Sequence, residues 1–418
     1  MKQKDKLKIG LISYRSNPFS GGQGIYIRHL SNALYELGHE VEVISGPPYP
    51  EIRKEISLVK IPSLDLFASQ NRLKEFKLNF LTSYIDLVEW LSVMTGGFPE
   101  PYTFGRRLKN FLKNKKGEYD ILHDNQSLAS SLLTIQLEFP LLSTIHHPIS
   151  RDYKLELDNA KFYKQKLLIK RWHSFLGMQM RVAKRLDNIL CVSKQSSLDV
   201  AEDFGVSPSN ISVVLNGVDM NVFKPNNLVQ KVPNRLVTAA SADVPLKGLE
   251  FLIRSLPEIR SFAPEISLEV IGRAQEGGQV DNLIKELKLQ KVVNFNHGLS
   301  EKEVANLYCS SEIAVIPSLY EGFGFGAAEA MACALPVIST TSGGLSEVVG
   351  DAAKIIPSGS SRKISEAVIL LLKDESKKRS YAEKGLSRMK EDFSWINSAK
   401  LTVQAYQDTM NKFQNKVI

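Results

Sequence analysis

The stretch that decides the fold is PSLYEGFGFGAAEAMACALPVISTTSGGLSE, residues 317–347. It follows Ile313, Ala314, Val315 and Ile316, an apolar run that reads as a buried parallel strand. A glycine-rich turn comes next, Glu321-Gly322-Phe323-Gly324-Phe325-Gly326, and then an Ala/Glu/Met segment of high helix propensity. In an open parallel sheet such a strand-loop-helix turn lies beyond the carboxyl ends of the strands. There, unpaired helix N–H groups and the helix dipole attract an anion such as a phosphate. Glu321 in the loop and Glu329 inside the helix are spaced to accept hydrogen bonds from hydroxyl groups at two depths of one cleft. Two polyol contacts bracketing a phosphate site suggest a nucleotide sugar. The plainer alternative, a turn that only packs a helix on a sheet, would be preferred for a lone G-x-G-x-x-G but is disfavoured by the whole string.

Outward from this stretch, a βα series fills the second half: strands at residues 235–240, 266–271 and 292–295, and helices at 248–260, 280–287 and 301–309. Residues 364–388 read as helical, and 395–412 as a last amphipathic helix. A polar, proline-bounded segment, residues 225–233 (PNNLVQKVP), is the best linker. The first half opens with strand 8–14, the loop 18–24 (PFSGGQG), helix 25–37 ended by Gly38, and strand 40–45. Further strands are expected at 120–123, 141–145, 189–192 and 211–215, with a long amphipathic helix over 161–187. Residues 63–116 are less regular, with a helical stretch at 81–93. Two doubly wound α/β halves follow, residues 1–225 and residues 226–392, with a terminal segment, 393–418. Ile27 stands where a dinucleotide fingerprint would carry its third glycine, which disfavours an NAD site.

A chain of 418 residues suits two domains of about 200 residues each. Its 43% hydrophobic and 23% charged content is that of a folded globular enzyme, not a disordered chain. The formal charge of +8 favours anionic partners. Nucleic acid is disfavoured because no recognised binding fold or stacking pattern accompanies the charge. Cys191, Cys309 and Cys333 have neither disulfide nor metal spacing and read as reduced core thiols in a cytosolic protein. No run approaches the roughly 18 apolar residues of a membrane helix, and the start lacks the long apolar core of a signal peptide. A cytoplasmic location is expected. Basic and apolar side chains interleave at Lys109, Lys113, Lys115 and Lys116 and over residues 161–185, which allows peripheral contact with anionic lipid; a core-facing helix with a solvated basic edge is the commoner reading.

The string EGFGFGAAE, followed by A-M-A-x-A-x-P-V-I and Gly343-Gly344-x-x-Glu347, resembles the donor site of family-4 retaining glycosyltransferases. Similar to that family are also GGQG after the first strand, His146 after a central strand, NGVD at 216–219, Lys247-Gly248, Ile271-Gly272, Phe295-x-x-Gly298 and Phe393-Ser394-Trp395. The resemblance covers most of both halves and implies the GT-B fold, two Rossmann-like domains facing across a cleft, with the last helix crossing back. It implies transfer of a sugar from a nucleotide diphosphate to a glycan, lipid or small-molecule acceptor, with retention. Lys247 would contact the diphosphate, whose charge grows as the sugar departs. Glu329 would bind the donor ribose and Glu321 the transferred sugar, while His146 would lie near the reacting sugar. Gly248, Gly322, Phe323, Gly324 and, from the first half, Gly22 would line the donor. The family arginine five or six residues before the lysine is missing; Ser241 and Ala242 stand there, and Arg273 is the candidate to replace it. With neither Asp-x-Asp at the donor site nor a His/Cys cluster, metal-independent transfer without a cofactor is expected. Two other readings stay open: a nucleotide-sugar 2-epimerase of the same fold, and a non-catalytic nucleotide-sugar-binding subunit.

Overall fold

The computed structural model describes residues 6–17, 22–69, 71–160, 162–242 and 244–417. The chain divides into two compact units, residues 1–214 with 396–418, and residues 215–395. The first holds a seven-stranded parallel sheet built from β1 (Lys8–Ser13), β2 (Glu40–Ser45), β3 (Ser57–Lys60), β4 (Ile121–Asn125), β5 (Leu141–Ile145), β6 (Ile189–Cys191) and β7 (Ile211–Val213), in the order β3-β2-β1-β4-β5-β6-β7. The second holds β8 (Arg235–Ala239), β9 (Ser267–Ile271), β10 (Val293–Asn296), β11 (Ile313–Ile316), β12 (Val337–Thr340) and β13 (Lys354–Ile356), in the order β10-β9-β8-β11-β12-β13. β4, β5, β11 and β12 are buried along their whole length, and β5, β11 and β12 accordingly read as continuous apolar or small-residue runs without alternation.

Both sheets reverse their strand order beside their first strand, between β1 and β4 in one unit and between β8 and β11 in the other. At such a switch point the loops leaving two neighbouring strands diverge to opposite faces, opening a crevice at their carboxyl ends. Each unit has its own core. Ile12, Leu108, Leu122, Ile145 and Ile189 lie at the centre of one, and Leu236, Leu252, Leu268, Val315, Ile338 and Val368 at the centre of the other.

The structure corrects three readings of the sequence. The amphipathic segment at 161–187 is not one helix: Tyr163–Trp172 and Leu176–Ala183 are separated by a turn at His173–Phe175, which buries His173 and Phe175 and redirects the chain. Lys161 lies outside the described residues. The helical stretch at 364–388 divides at Asp374, whose side chain caps the second helix by accepting from Lys377 N. The chain changes units at 214–215, ahead of the proline-bounded segment, and that segment is bonded into the second unit: Val232 N donates to Ser310 O at 2.9 Å and Asn226 Nδ2 to Asn306 Oδ1 at 3.4 Å.

The last helix, Trp395–Val417, groups with the first unit from residue 396 onward. Its fully buried Tyr406 bonds His123 Nδ1 on β4 at 2.7 Å, and its Lys416 pairs with Asp187 at 2.6 Å.

Candidate active site

In the second unit the switch point is bridged by an ion pair. The loop after β8 ends in a single turn, Pro245–Lys247, and the loop after β11 runs along it, with Leu319 N donating to Leu246 O at 2.7 Å. Gly248 follows at φ +65°, so close to this neighbour that an added Cβ would stand 2.1 Å from Pro317 O. Only glycine permits both the left-handed backbone and the approach. The consequence is that Lys247 Nζ reaches Glu321 Oε1 at 2.7 Å. Ser318 Oγ donates to the same oxygen at 2.9 Å, and the Glu321 carbonyl accepts from Gly344 N at 2.7 Å. The carboxylate is thus fixed from both sides, while Lys247 keeps 35% of its side chain exposed at the rim.

The helix Phe325–Ala332 begins at Gly324, whose φ of +110° turns the chain and whose missing Cβ leaves room for Leu345. Phe323 is buried against Phe325, at 5.1 Å between ring centroids, and Phe393, at 6.0 Å, and Phe325 stacks on Trp395 at 6.3 Å. The Phe-Ser-Trp segment therefore braces the glycine loop from behind. One to two turns into this helix, Glu329 accepts a long bond from Tyr308 OH at 3.4 Å. Burial pushes its carboxyl up to about 7, opposed by the Tyr308 bond and the charge of Lys247. Lys247, Gly248, Glu321, Gly322, Phe323, Gly324 and Glu329 accordingly come together at one sheet edge.

Arg273 is exposed at the end of β9, and its carbonyl accepts from Ala242 N at 2.9 Å. It lies beside the position where the family arginine is absent, but among the described residues its guanidinium makes no hydrogen bond or ion pair with the site residues.

In the first unit His146 follows β5 and is buried. Its Nε2 lies 2.6 Å from Asn125 Oδ1, and Asn125 Nδ2 donates to Ser13 Oγ at 3.3 Å and to Gln23 O at 3.2 Å. A backbone carbonyl only accepts, so this fixes the amide orientation and assigns the His146 proton to Nε2, leaving Nδ1 as an acceptor. Burial lowers the imidazole to about 3, with the neighbouring His147 and His123 adding to the effect, so His146 is neutral at physiological pH. Gln126, at φ +54°, uses its amide to hold the chain on both sides: its Oε1 accepts from His146 N at 2.7 Å and its Nε2 donates to His147 O at 2.8 Å. Gly22 opens the helix Gly22–Glu36, one residue from the Gln23 carbonyl. Gly21 lies outside the described residues.

Sequence reasoning missed Asn125, Gln126, Ser318 and Tyr308. The first two stand where β4 ends at the switch point, a signal present in the sequence as Asp-Asn-Gln after an apolar strand. Tyr308 carries no local signal, since its partner Glu329 sits on another helix, whereas Ser318 lies three residues before Glu321 in the same loop. Among the described residues no group of three or more His, Cys, Asp or Glu is placed to hold a metal ion.

Residues 20–222 match the family described as Glycosyltransferase Family 4, and residues 223–388 match Glycosyl transferases group 1. The chain is 40% identical over 406 residues to the MMP alpha-(1->4)-mannosyltransferase of Mycolicibacterium hassiacum, covering 96% of this chain and 98% of that one. The chain belongs to glycosyltransferase family 4. Other relatives of this glycosyltransferase are the D-inositol 3-phosphate glycosyltransferase of Corynebacterium aurimucosum, 23% identical with 97% of each chain covered, and the glycogen synthase of Mycobacterium tuberculosis, 26% identical with 96% and 94% covered. Its fold is GT-B, matching sucrose-phosphate synthase from Thermosynechococcus elongatus with a TM-score of 0.73 at 20% identity over 97% and 100% of the two chains. The glycosyltransferase WaaG matches with a TM-score of 0.67 at 16% identity over 94% and 98%. The enzyme is a glycosyltransferase of the hexosyl-transferring type, and none of these relatives is an epimerase.

Proposed function

We propose that the enzyme transfers a mannosyl group, with retention, from a nucleotide diphosphate sugar to a hydroxyl of a sugar-containing acceptor. The observation that carries this reading is the Lys247–Glu321 pair at 2.7 Å across the β8/β11 switch point. It sets a cation for the diphosphate beside a carboxylate for the sugar hydroxyls. Identity of 40% over nearly the whole chain with an alpha-mannosyltransferase supports mannose as the sugar.

Lys247 and the N–H groups at the start of the Phe325–Ala332 helix would meet the negative charge that grows on the departing phosphate. Glu329 would accept from the ribose hydroxyls and Glu321 from the sugar. His146, neutral and with Nδ1 as acceptor, would orient a substrate hydroxyl. Glu321 and Glu329 serve as binders, not as a glycosidase pair. Retention without a protein nucleophile is what the family resemblance supports, with the leaving phosphate helping to remove the acceptor proton. Neither metal nor cofactor is required in this scheme, and Arg273 is proposed to supply the second cation. The discriminating experiment offers GDP-, UDP- and ADP-linked sugars with and without mannoside acceptors. Glycoside formation only in the presence of acceptor supports the proposal; turnover of donor to its 2-epimer without acceptor refutes it.

A peripheral contact with anionic lipid is a second proposal, favoured by one element. The helix Tyr163–Trp172 has no buried residue, and Tyr163, Leu167 and Leu168 are exposed among Lys164, Lys166 and Lys170. No described helix is long and apolar enough to cross a membrane.

A further inference from the structure

We propose that Arg15, held from behind by Glu100, is the acceptor-recognising side chain of the first unit, and that this pair selects a neutral sugar hydroxyl over a phosphorylated one. The inference rests on the glycosyl-transfer reading above and adds to it the acceptor side.

Arg15 leaves the carboxyl end of β1, at the edge where a doubly wound sheet binds its ligands. Its side chain is one-third exposed, at 34%, and its guanidinium lies 5.8 Å from the Phe98 ring centre. Among the described residues that guanidinium donates no hydrogen bond. Its ion-pair partner is Glu100 Oε2, at 3.4 Å. Glu100 opens the helix Glu100–Leu112 with a side chain only 9% exposed, and its Oε2 receives no hydrogen bond. A buried carboxylate without a donor is costly. An arginine serving only structure would be expected to spend its donors on nearby carbonyls. Here the fork is pinned by charge and by an aromatic face, with its remaining N–H groups unspent beside the site. The Arg15 carbonyl accepts from Ser13 Oγ at 2.8 Å, Ser13 Oγ accepts from Asn125 Nδ2 at 3.3 Å, and Asn125 Oδ1 accepts from His146 Nε2 at 2.6 Å. The arginine therefore belongs to the same hydrogen-bonded edge as the candidate catalytic histidine.

Charge decides the ligand class. A lone arginine would favour a phosphate or carboxylate. Here Glu100, at 3.4 Å, cancels its charge. Glu89 is the other acid near Glu100, and it is already occupied by Arg107 at 2.5 Å and by Leu64 N at 2.9 Å. With its charge cancelled by the Glu100 carboxylate, the guanidinium offers an anionic acceptor group no net attraction, while a hydroxyl can still accept from it. Burial pushes Glu100 up to about 7, so the pair is fully ionised only above that pH.

The test measures binding of methyl α-D-mannopyranoside and of D-mannose 6-phosphate to the full chain at pH 8 by saturation-transfer NMR, a readout that needs no turnover. The variants are Arg15→Ala and Glu100→Gln, and an unchanged thermal shift with nucleotide sugar confirms that both fold. The wild type should prefer the neutral mannoside. Arg15→Ala should weaken its binding about tenfold, and Glu100→Gln should move the preference about tenfold toward the phosphorylated sugar. Mannoside binding unaltered in Arg15→Ala, a wild type that prefers mannose 6-phosphate, or no mannoside binding by the wild type overturns the inference. Transfer assays on the wild type judge the functional reading separately. An enzyme that binds mannoside through Arg15 but glycosylates nothing would count against that reading alone.

Discussion

At the scale of single residues, Lys247 is the cation of the proposed donor site. The side chain is partly solvated, so its ion pair with Glu321 contributes little to folding, about 0–1 kcal/mol. In the proposed reaction its contribution comes in the transition state. Lys247→Ala should lower kcat/KM by about 10²–10³ while leaving the denaturation midpoint nearly unchanged; steady-state kinetics beside urea unfolding checks both. Arg273→Ala should weaken donor binding if that residue supplies the second cation, and unchanged donor KM and kcat would dismiss it. Glu329 carries a pH signature. Its folded-state value, about 7, lies above the ordinary 4.5. Its contribution to stability is therefore full below about 4.5 and is lost as pH rises through about 7. The carboxylate form needed by a ribose is populated in the opposite direction. Donor affinity should rise from pH 6 to pH 8 while the melting temperature falls, and Glu329→Gln should flatten both trends.

At the scale of elements, β11, its glycine loop and the helix after it were legible because each local preference agrees with the packing. The run Ile313–Ile316 is wholly buried, Gly324 takes the turn only glycine tolerates, and an Ala-rich helix follows. Gly248 shows the same agreement, and Gly248→Ala should cost about 1–3 kcal/mol from left-handed backbone strain, with more from the 2.1 Å approach to Pro317 O. A drop in the denaturation midpoint together with a raised donor KM is expected, since the same loop seats Lys247. Other elements were not legible. The three-part course of residues 163–183 hid inside a continuous amphipathic pattern, because periodicity does not report a tertiary turn. The bond from Cys309 Sγ to Lys224 O was equally hidden by the separation of the two residues in sequence. The exposed helix Tyr163–Trp172 supports a further prediction. Sedimentation with phosphatidylglycerol vesicles at low salt should capture the chain, and Leu167→Glu with Leu168→Glu should abolish capture; equal capture of wild type and variant would remove the lipid proposal.

At the scale of the whole molecule, both sheets put their chemistry at the same topological place. Lys247 and Glu321 bridge the β8/β11 switch point, and Asn125 bridges β1 and β4 through Ser13. The doubly wound halves could be read from βα periodicity and a few glycines, and the residues of the proposed donor cluster were named from those glycines together with the family resemblance. The polar residues that orient the cluster could not, because Asn125, Gln126, Ser318 and Tyr308 acquire their meaning only from partners that folding supplies. The central claim is retaining transfer from a nucleotide diphosphate sugar, and the anomeric configuration of the product tests it most directly. Proton NMR of the glycoside made from an α-configured nucleotide mannose and a mannoside acceptor should show a new α linkage, formed in EDTA as in its absence and lost in Lys247→Ala. A β-linked product, or donor converted to its 2-epimer without acceptor, would contradict the account.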